Sequence, residues 1–270
     1  MLTTATLGPK FDQYSADCVV ILGSEELRRR WEKLGGQSKR CILWNEVVSP
    51  ETVRRVRIFS DDMQDQLPAL LQLPELTLSA LNIQSKFLSM VSAAPCFQTL
   101  DEYLEVDGDG KAASIETAKL SKLKALWVGG VRTPIKLVPS ALVQLESAQL
   151  CFGRSTEYGK SIATLLPRLT TAGLWGISKS DFQYFNLTSD NVTYLRILSS
   201  NINSCEFVSR FQNLKIVHFQ SCPNLKDISA LSEVKGLQTA AFWWCPHIKK
   251  SQELFSSAAF SVEYFGTSNK

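Results

Sequence analysis

The sequence predicts an α/β fold in which short parallel strands alternate with short return segments and stack into one elongated solenoid. Two observations support this prediction. A fixed apolar pattern recurs along most of the 270-residue chain, and each copy contains the one-on, one-off alternation of a short strand.

The recurring pattern is clearest near the C-terminus, where two segments align almost residue for residue. Both contain three apolar residues spaced three apart, a fourth apolar residue two positions later, and a cysteine three positions after that. The first segment has Phe211, Leu214, Val217, Phe219 and Cys222, and the second has Val234, Leu237, Ala240, Phe242 and Cys245.

The same frame extends upstream at a nearly constant spacing. The first apolar residues of the predicted strands are Val56, Leu76, Leu104, Leu126, Ala148, Ala172, Leu195, Val217, Ala240 and Val262. Successive members of this series are 20, 28, 22, 22, 24, 23, 22, 23 and 22 residues apart. Such spacing is typical of stacked repeats, in which no single unit buries its apolar face alone.

This pattern resembles the leucine-rich-repeat family over roughly residues 50–265, most specifically between Leu120 and Cys245. The segment Cys222 to Leu237 is similar to the short bacterial type of repeat. The resemblance implies a solenoid whose parallel sheet lines a concave face. The family prefers Asn at the turn after each strand, and this chain departs from that preference, so we expect irregular turns. The residues at that position are Val131, Gly153, Ile177, Ser200, Cys222 and Cys245.

The first 49 residues do not follow the repeat and are predicted to form an N-terminal β-α-β cap. Strands are expected at Cys18–Leu22 and at Cys41–Trp44. Between them, Ser24 offers an N-cap and Gly35-Gly36 a C-cap for one helix. We therefore predict a cap over residues 1–49 and a solenoid over residues 50–270, because terminal repeats need cover for their core.

Composition and motifs argue against catalysis, metal binding and membrane insertion. The net charge of +3 is mild, and only Arg28-Arg29-Arg30 forms a dense basic stretch. The seven cysteines show no metal-ligand spacing, and the two histidines have no ligand partner nearby in sequence. We expect no cofactor, a reducing cytoplasmic location and buried, unbridged side chains for Cys222 and Cys245.

A binding surface is predicted from the residues that alternate with the core leucines, because these face outward on the concave sheet. Trp, Tyr and Arg, the types enriched in binding hot spots, recur among them. The candidate protein-binding residues are Trp127, Gln149, Trp175, Tyr194, Arg196, His218, Gln220, Trp243, Glu263 and Phe265.

The leading hypothesis is a non-catalytic protein-binding module, in its sharpest form an immunity protein that occludes a cognate bacterial toxin. This hypothesis expects a protein partner, and neither nucleic acid nor a membrane. An alternative is a leucine-rich-repeat effector or scaffold that acts on a host or cellular partner. A third, from another class, is a nucleic-acid or nucleotide enzyme that uses Arg28, Arg29 and Arg30, and it predicts binding that weakens steeply with salt.

Overall fold

The computed structural model describes residues 19–22, 29, 41–43, 55–60, 67–73, 76–107, 117–129, 137–152, 156–248 and 259–265. Its strands form one parallel sheet of 12 members. In order along the chain they are β1 Val19–Leu22, β2 Cys41–Leu43, β3 Arg55–Ser60, β4 Thr77–Gln84, β5 Tyr103–Asp107, β6 Ala125–Gly129, β7 Ser147–Cys151, β8 Thr171–Trp175, β9 Tyr194–Leu198, β10 Ile216–Gln220, β11 Thr239–Trp243 and β12 Ser261–Phe265. The predicted α/β solenoid with a parallel sheet is confirmed.

Short helices supply the return segments between strands. The α-helices are Leu67–Leu71, Leu88–Ala93, Thr156–Leu165 and Lys179–Tyr184, and the 3-10 helices are Ser85–Phe87, Pro95–Thr99, Thr117–Lys119, Leu166–Arg168, Glu206–Arg210 and Ser229–Glu233. Local sequence sets their ends. The backbone N–H of Ser178 donates to Asp181 Oδ2 at 2.8 Å, which caps the helix that starts at Lys179.

From β3 to β12 the strands lie side by side in chain order, which is the topology of a solenoid. The residues that share one position in this register are Ile58, Leu81, Leu104, Leu126, Ala148, Ala172, Leu195, Val217, Ala240 and Val262. Successive members are 23, 23, 22, 22, 24, 23, 22, 23 and 22 residues apart. The repeat is therefore more regular than the sequence spacing suggested.

The predicted frame departs from this register at β3, where it selected Val56 rather than Ile58, and at β4. The sequence pattern placed the first core residue of that strand at Leu76, whereas Leu81 pairs with Leu104. The register between β3 and β4 shifts after Val56, since Leu78 and Ala80 pair with consecutive residues and Ser79 is the extra one. One additional residue reverses the inward and outward alternation of everything after it.

At the N-terminal end, the strand order is β3-β1-β2, so β1 inserts between β2 and β3. Val19 pairs with Val56 and Val20 pairs with Cys41, both in parallel. The structure thus has strands at both places predicted for the cap, and it shows that they belong to the main sheet. Arg29, between them, is helical and exposed, while the other residues of the predicted cap helix lie outside the described residues. The division of the chain at residue 49 remains a prediction.

The core is built from the second and fourth residues of strands β5 to β11, which are buried almost completely. Its C-terminal part is aromatic. The ring of Phe219 stacks on that of Phe242 at 5.5 Å, and Phe242 stacks on Tyr264 at 5.8 Å. Aromatic rings at the same position of adjacent repeats thus form a continuous column, which gives the stacked repeats much of their buried apolar surface.

The turns after the strands are regular in the C-terminal half, so the expectation of irregular turns is wrong there. Gly176, Ser199, Ser221 and Trp244 occupy the same place in four consecutive repeats, and all have positive φ, between 43° and 72°. The backbone N–H of each donates to the carbonyl oxygen of the last strand residue in the next repeat, at 2.8–3.0 Å. A left-handed residue at this point turns the chain out of the strand.

At three of these turns the place of the missing Asn is taken by Ser200, Cys222 or Cys245, which can form hydrogen bonds, whereas Ile177 follows Gly176 and has no polar side chain. Ser200 Oγ accepts the N–H of Ile177 at 3.1 Å and donates to the carbonyl of Leu198 at 2.7 Å. Cys222 and Cys245 sit at the equivalent positions, fully buried and unbridged as expected, and their thiols contact backbone carbonyls of the strands. The equivalent Val131 and Gly153 lie outside the described residues.

Candidate functional site

Strands β6 to β12 each have five residues, of which the second and fourth enter the core. The first, third and fifth residues lie on the opposite side of the sheet, and we call the surface they form the open face. The register places Trp127, Gln149, Arg196, His218 and Glu263 at third positions of this face. Fifth positions hold Trp175, Gln220, Trp243 and Phe265, and Tyr194 holds a first position. All ten predicted site residues therefore share one surface.

Burial on the open face differs from the expectation of fully solvent-facing side chains. Trp127, Trp175, Tyr194 and Gln220 are half-buried, and Glu263 and Phe265 are exposed. Gln149, Arg196, His218 and Trp243 are buried. Because neighbouring strands lie only about 4.8 Å apart, large side chains at equivalent positions cover one another. The open face is therefore a packed surface rather than a row of isolated side chains.

Arg196 lies at the centre of this surface and is held between two glutamines. Its Nη1 donates to Gln149 Oε1 at 3.5 Å across the intervening strand β8, and its Nη2 donates to Gln220 Oε1 on the next strand. Gly173 is the residue of β8 between them. A Cβ at Gly173 would lie 2.8 Å from Gln149 Cγ, so the glycine makes room for the side chains that cross it.

The guanidinium of Arg196 is a buried charge held by neutral amides. The residue is only 8% exposed. Burial lowers the pKa of Arg196, and the neighbouring Tyr194 opposes that shift. Among the described residues, Arg196 Nε has no hydrogen-bond partner, and the guanidinium bonds to the amides of Gln149 and Gln220 rather than to a carboxylate. A cation removed from water without an anion is costly, so this position favours an external acceptor.

His218 packs beside Arg196 on the adjacent strand and is almost completely buried, at 1% exposure. Its ring meets Trp243 edge-on, with centroids 4.2 Å apart. Within the described part of the chain, neither ring nitrogen has a hydrogen-bond partner. Burial first, and the charge of Arg196 second, lower the pKa of His218 to about 3. His218 is therefore a neutral imidazole at the centre of the open face.

The burial of neutral His218 should make the fold sensitive to mild acid. The folded pKa of about 3 lies below the ordinary value of 6.5, so the unfolded chain takes up a proton first as the pH falls. Stability from this group is complete above about pH 6.5 and is lost progressively as the pH falls toward 3. Between about pH 7 and about pH 5.5 we expect a loss of about 1 kcal/mol in unfolding free energy.

Urea unfolding of wild type and His218→Phe at the two pH values measures this effect. Arg196 and Tyr194 on β9 and Glu263 on β12 share the face with His218, and both proteins contain them, so the comparison cancels their contribution. The phenylalanine variant should lose markedly less stability than wild type. Equal losses in the two proteins would show that His218 is not the responsible group.

Other polar atoms on the open face also lack partners among the described residues. They are the indole Nε1 of Trp127, the indole Nε1 of Trp243 and the hydroxyl of Tyr194. Burial raises the pKa of Tyr194, Arg196 lowers it and Glu263 raises it, so the hydroxyl stays protonated. An unsatisfied buried donor costs about 1–3 kcal/mol, so several on one surface mark a place where an added acceptor would stabilise the protein.

A second polar cluster, which the sequence analysis missed, lies on the same side of the sheet at β4 and β5. Glu105 Oε2 accepts from the Tyr103 hydroxyl at 2.5 Å and from Asn82 Nδ2 at 2.7 Å. Burial raises the pKa of Glu105, while these two hydrogen bonds lower it and Asp107 raises it. The Tyr103 ring meets Trp127 edge-on at 5.8 Å. The alternation around Leu104 and Val106 was the signal that could have found Glu105.

The C-terminal end of the open face carries an aromatic group. Trp243 meets Phe265 at 5.3 Å and Trp244 at 6.3 Å, both edge-on. Trp244 follows its strand in the left-handed turn and is half exposed. The sequence pattern did not select Trp244, because a turn position gives no indication of where its side chain points.

The described residues form neither a metal-binding cluster nor a membrane-spanning helix. The residues that the structure describes contain no group of three or more His, Cys, Asp or Glu side chains placed to hold a metal ion. Among the helices in the described ranges, none has the length and apolar character needed to cross a membrane.

No protein-family model matches this sequence, and no curated protein sequence matches it. Among solved structures, the chain is similar to an internalin from Listeria monocytogenes strain 4b F2365, with 15% identity and a TM-score of 0.42. The match covers 78% of this chain and 67% of the internalin. The parallel register and the repeat spacing of 22 to 24 residues identify a leucine-rich-repeat type of solenoid in this chain.

Proposed function

We propose that this chain is a non-catalytic protein-binding module that holds its partner against the open face. The observation that carries the proposal is the composition of that face. Half-buried rings surround a buried arginine, and several polar atoms there lack partners among the described residues. Trp, Tyr and Arg are the side chains that dominate binding energy at protein interfaces.

The charge of the open face also fits a protein partner better than a nucleic acid. Within strands β6 to β12, its first, third and fifth residues include one cation, Arg196, and one carboxylate, Glu263. A nucleic-acid surface needs many cations facing the phosphates, whereas protein interfaces are poor in Lys and Glu at their centre. The balance therefore supports a protein.

In its finer form, the proposal is that the module is an immunity protein that binds a cognate toxin and blocks it. Neutralisation by occlusion requires only a complementary surface, which the open face supplies, and needs no chemistry from the binder. Co-expression with toxin domains encoded beside the gene tests this form, and restored growth with at least one of them is expected. Growth inhibition that the chain never relieves, together with capture of an unrelated cellular protein, would instead support the effector or scaffold alternative.

The general proposal is tested by capturing partners on the immobilised chain and footprinting each complex by hydroxyl-radical labelling. We expect a genuine partner to reduce labelling of Trp127, Trp175 and Tyr194, because bound protein excludes solvent from their exposed edges. Tyr184, 71% exposed on the helix Lys179–Tyr184 of a return segment, serves as the internal control and should keep its labelling. Protection of Tyr184 with unchanged labelling of the three open-face rings would contradict the proposal.

A further inference from the structure

The centre of the open face has an electrostatic requirement that the described residues of the chain do not meet. Arg196 is buried, and its hydrogen bonds go to the neutral amides of Gln149 and Gln220. The backbone of Glu263, on β12, lies three strands from β9, roughly 14 Å away, and its carboxylate influences Tyr194 but forms no salt bridge with Arg196. Glu105 is on β5, four strands away on the other side, and is already bonded to Tyr103 and Asn82.

The unpartnered atoms around Arg196 are mostly donors. Arg196 Nε and the indole Nε1 of Trp243 carry hydrogens and can only donate, and both side chains are more than nine-tenths buried. The Tyr194 hydroxyl can donate as well. Gln149 and Gln220 contribute their carbonyl oxygens to Arg196, and each also carries an NH2 group. Among the described residues, no negatively charged acceptor contacts these donors.

We propose that Arg196 is the anchor point for an acidic side chain of a protein partner, which enters the open face between Trp175 and Trp243. This inference rests on the proposed function and names the chemistry that the partner presents. A carboxylate seated against the guanidinium compensates its buried charge. The rings on β8 and β11 pack against the apolar stem of the same side chain, and excluded water strengthens the ion pair.

Selection of random peptides displayed on phage tests the inference without a known partner. Peptides selected on the wild-type chain should be enriched in Asp or Glu at one position relative to the unselected library. Selection on Arg196→Gln should lose that enrichment. For a synthetic copy of the best peptide, changing the acidic residue to its amide should weaken binding by about 10- to 100-fold, measured by calorimetry.

A second variant separates loss of the anchor from loss of the fold. Gln220→Glu places a carboxylate of nearly the same shape against Arg196 Nη2, so the chain supplies its own anion. We expect this variant to be at least as stable as wild type and to lose the acidic enrichment, even where Arg196→Gln fails to fold. Strong selection of acidic peptides by Gln220→Glu would overturn the inference.

The outcomes also distinguish this inference from the proposed function. Peptides that need Trp175 for binding but show no acidic preference would overturn the carboxylate anchor and leave the protein-binding function standing. A selection that yields no peptide bound to the open face would count against both. Acidic peptides that bind wild type and Arg196→Gln equally well would place the anchor elsewhere and reject Arg196.

Discussion

Replacement of Phe219 by alanine should lower the free energy of unfolding by about 3–5 kcal/mol, the usual cost of removing a fully buried phenylalanine. Phe219 has no exposed surface. Its ring stacks on Phe242 at 5.5 Å and meets Phe207 edge-on at 6.4 Å. The substitution therefore removes contacts both to the next repeat and to the return segment Glu206–Arg210, which precedes β10.

The size of this effect follows from the architecture. In a solenoid each repeat is stabilised by its neighbours, so a cavity in the aromatic column weakens the interface between repeats as well as one repeat. Val143→Ala is the control, because Val143 is mostly exposed on a return segment and should change stability by less than about 0.5 kcal/mol. Urea unfolding followed by circular dichroism measures both. A Phe219→Ala loss as small as that of the control would contradict the packing described here.

The fold could be predicted from the sequence because the repeat places the same requirement on the chain many times. Leu126, Leu195 and Val217 each enter the core at an equivalent register, and copies of one pattern reinforce one another. The prediction failed at β4, where the extra residue Ser79 reverses the alternation. A local insertion of this kind has no periodic signal, since it occurs once.

The turns show a second limit of reading a pattern residue by residue. The lack of Asn predicted irregular turns, but the turn geometry depends on a left-handed residue, which three of the four turns combine with a small hydrogen-bonding side chain after it. Ser199 with Ser200, and Ser221 with Cys222, satisfy both conditions. The order β3-β1-β2 was equally hidden, because strand order is decided by pairing between segments.

The members of the candidate site could be predicted, but their environment could not. Alternation alone assigns Arg196, His218 and Trp243 to the outer side of the sheet. Whether a side chain there is exposed depends on the sizes of its neighbours on the adjacent strands, and these three turned out to be buried. The link from Arg196 to Gln149 crosses a strand and depends on Gly173, which only the three-dimensional register reveals.

Removal of an aromatic ring from the open face should strongly weaken the binding of a partner. Trp175→Ala should weaken partner binding by about 30-fold or more, the cost typical of a hot-spot tryptophan. The ring of Trp175 is half-buried, so its removal leaves the core positions of β8 intact. Trp127 is on β6, three strands from Arg196 on β9. Trp127→Ala should therefore cause a smaller loss, which appears if the partner spans the face.

Binding of a protein partner at the open face can be tested by measuring the affinity of a captured partner for three versions of this chain. Calorimetry on wild type, Trp175→Ala and Tyr184→Ala, with folding of each checked by circular dichroism, compares a ring on the open face with a ring on a return segment. We expect a loss of about 30-fold or more for Trp175→Ala and almost none for Tyr184→Ala. Unchanged affinity of a folded Trp175→Ala protein, with a large loss for Tyr184→Ala, would rule out binding at the open face.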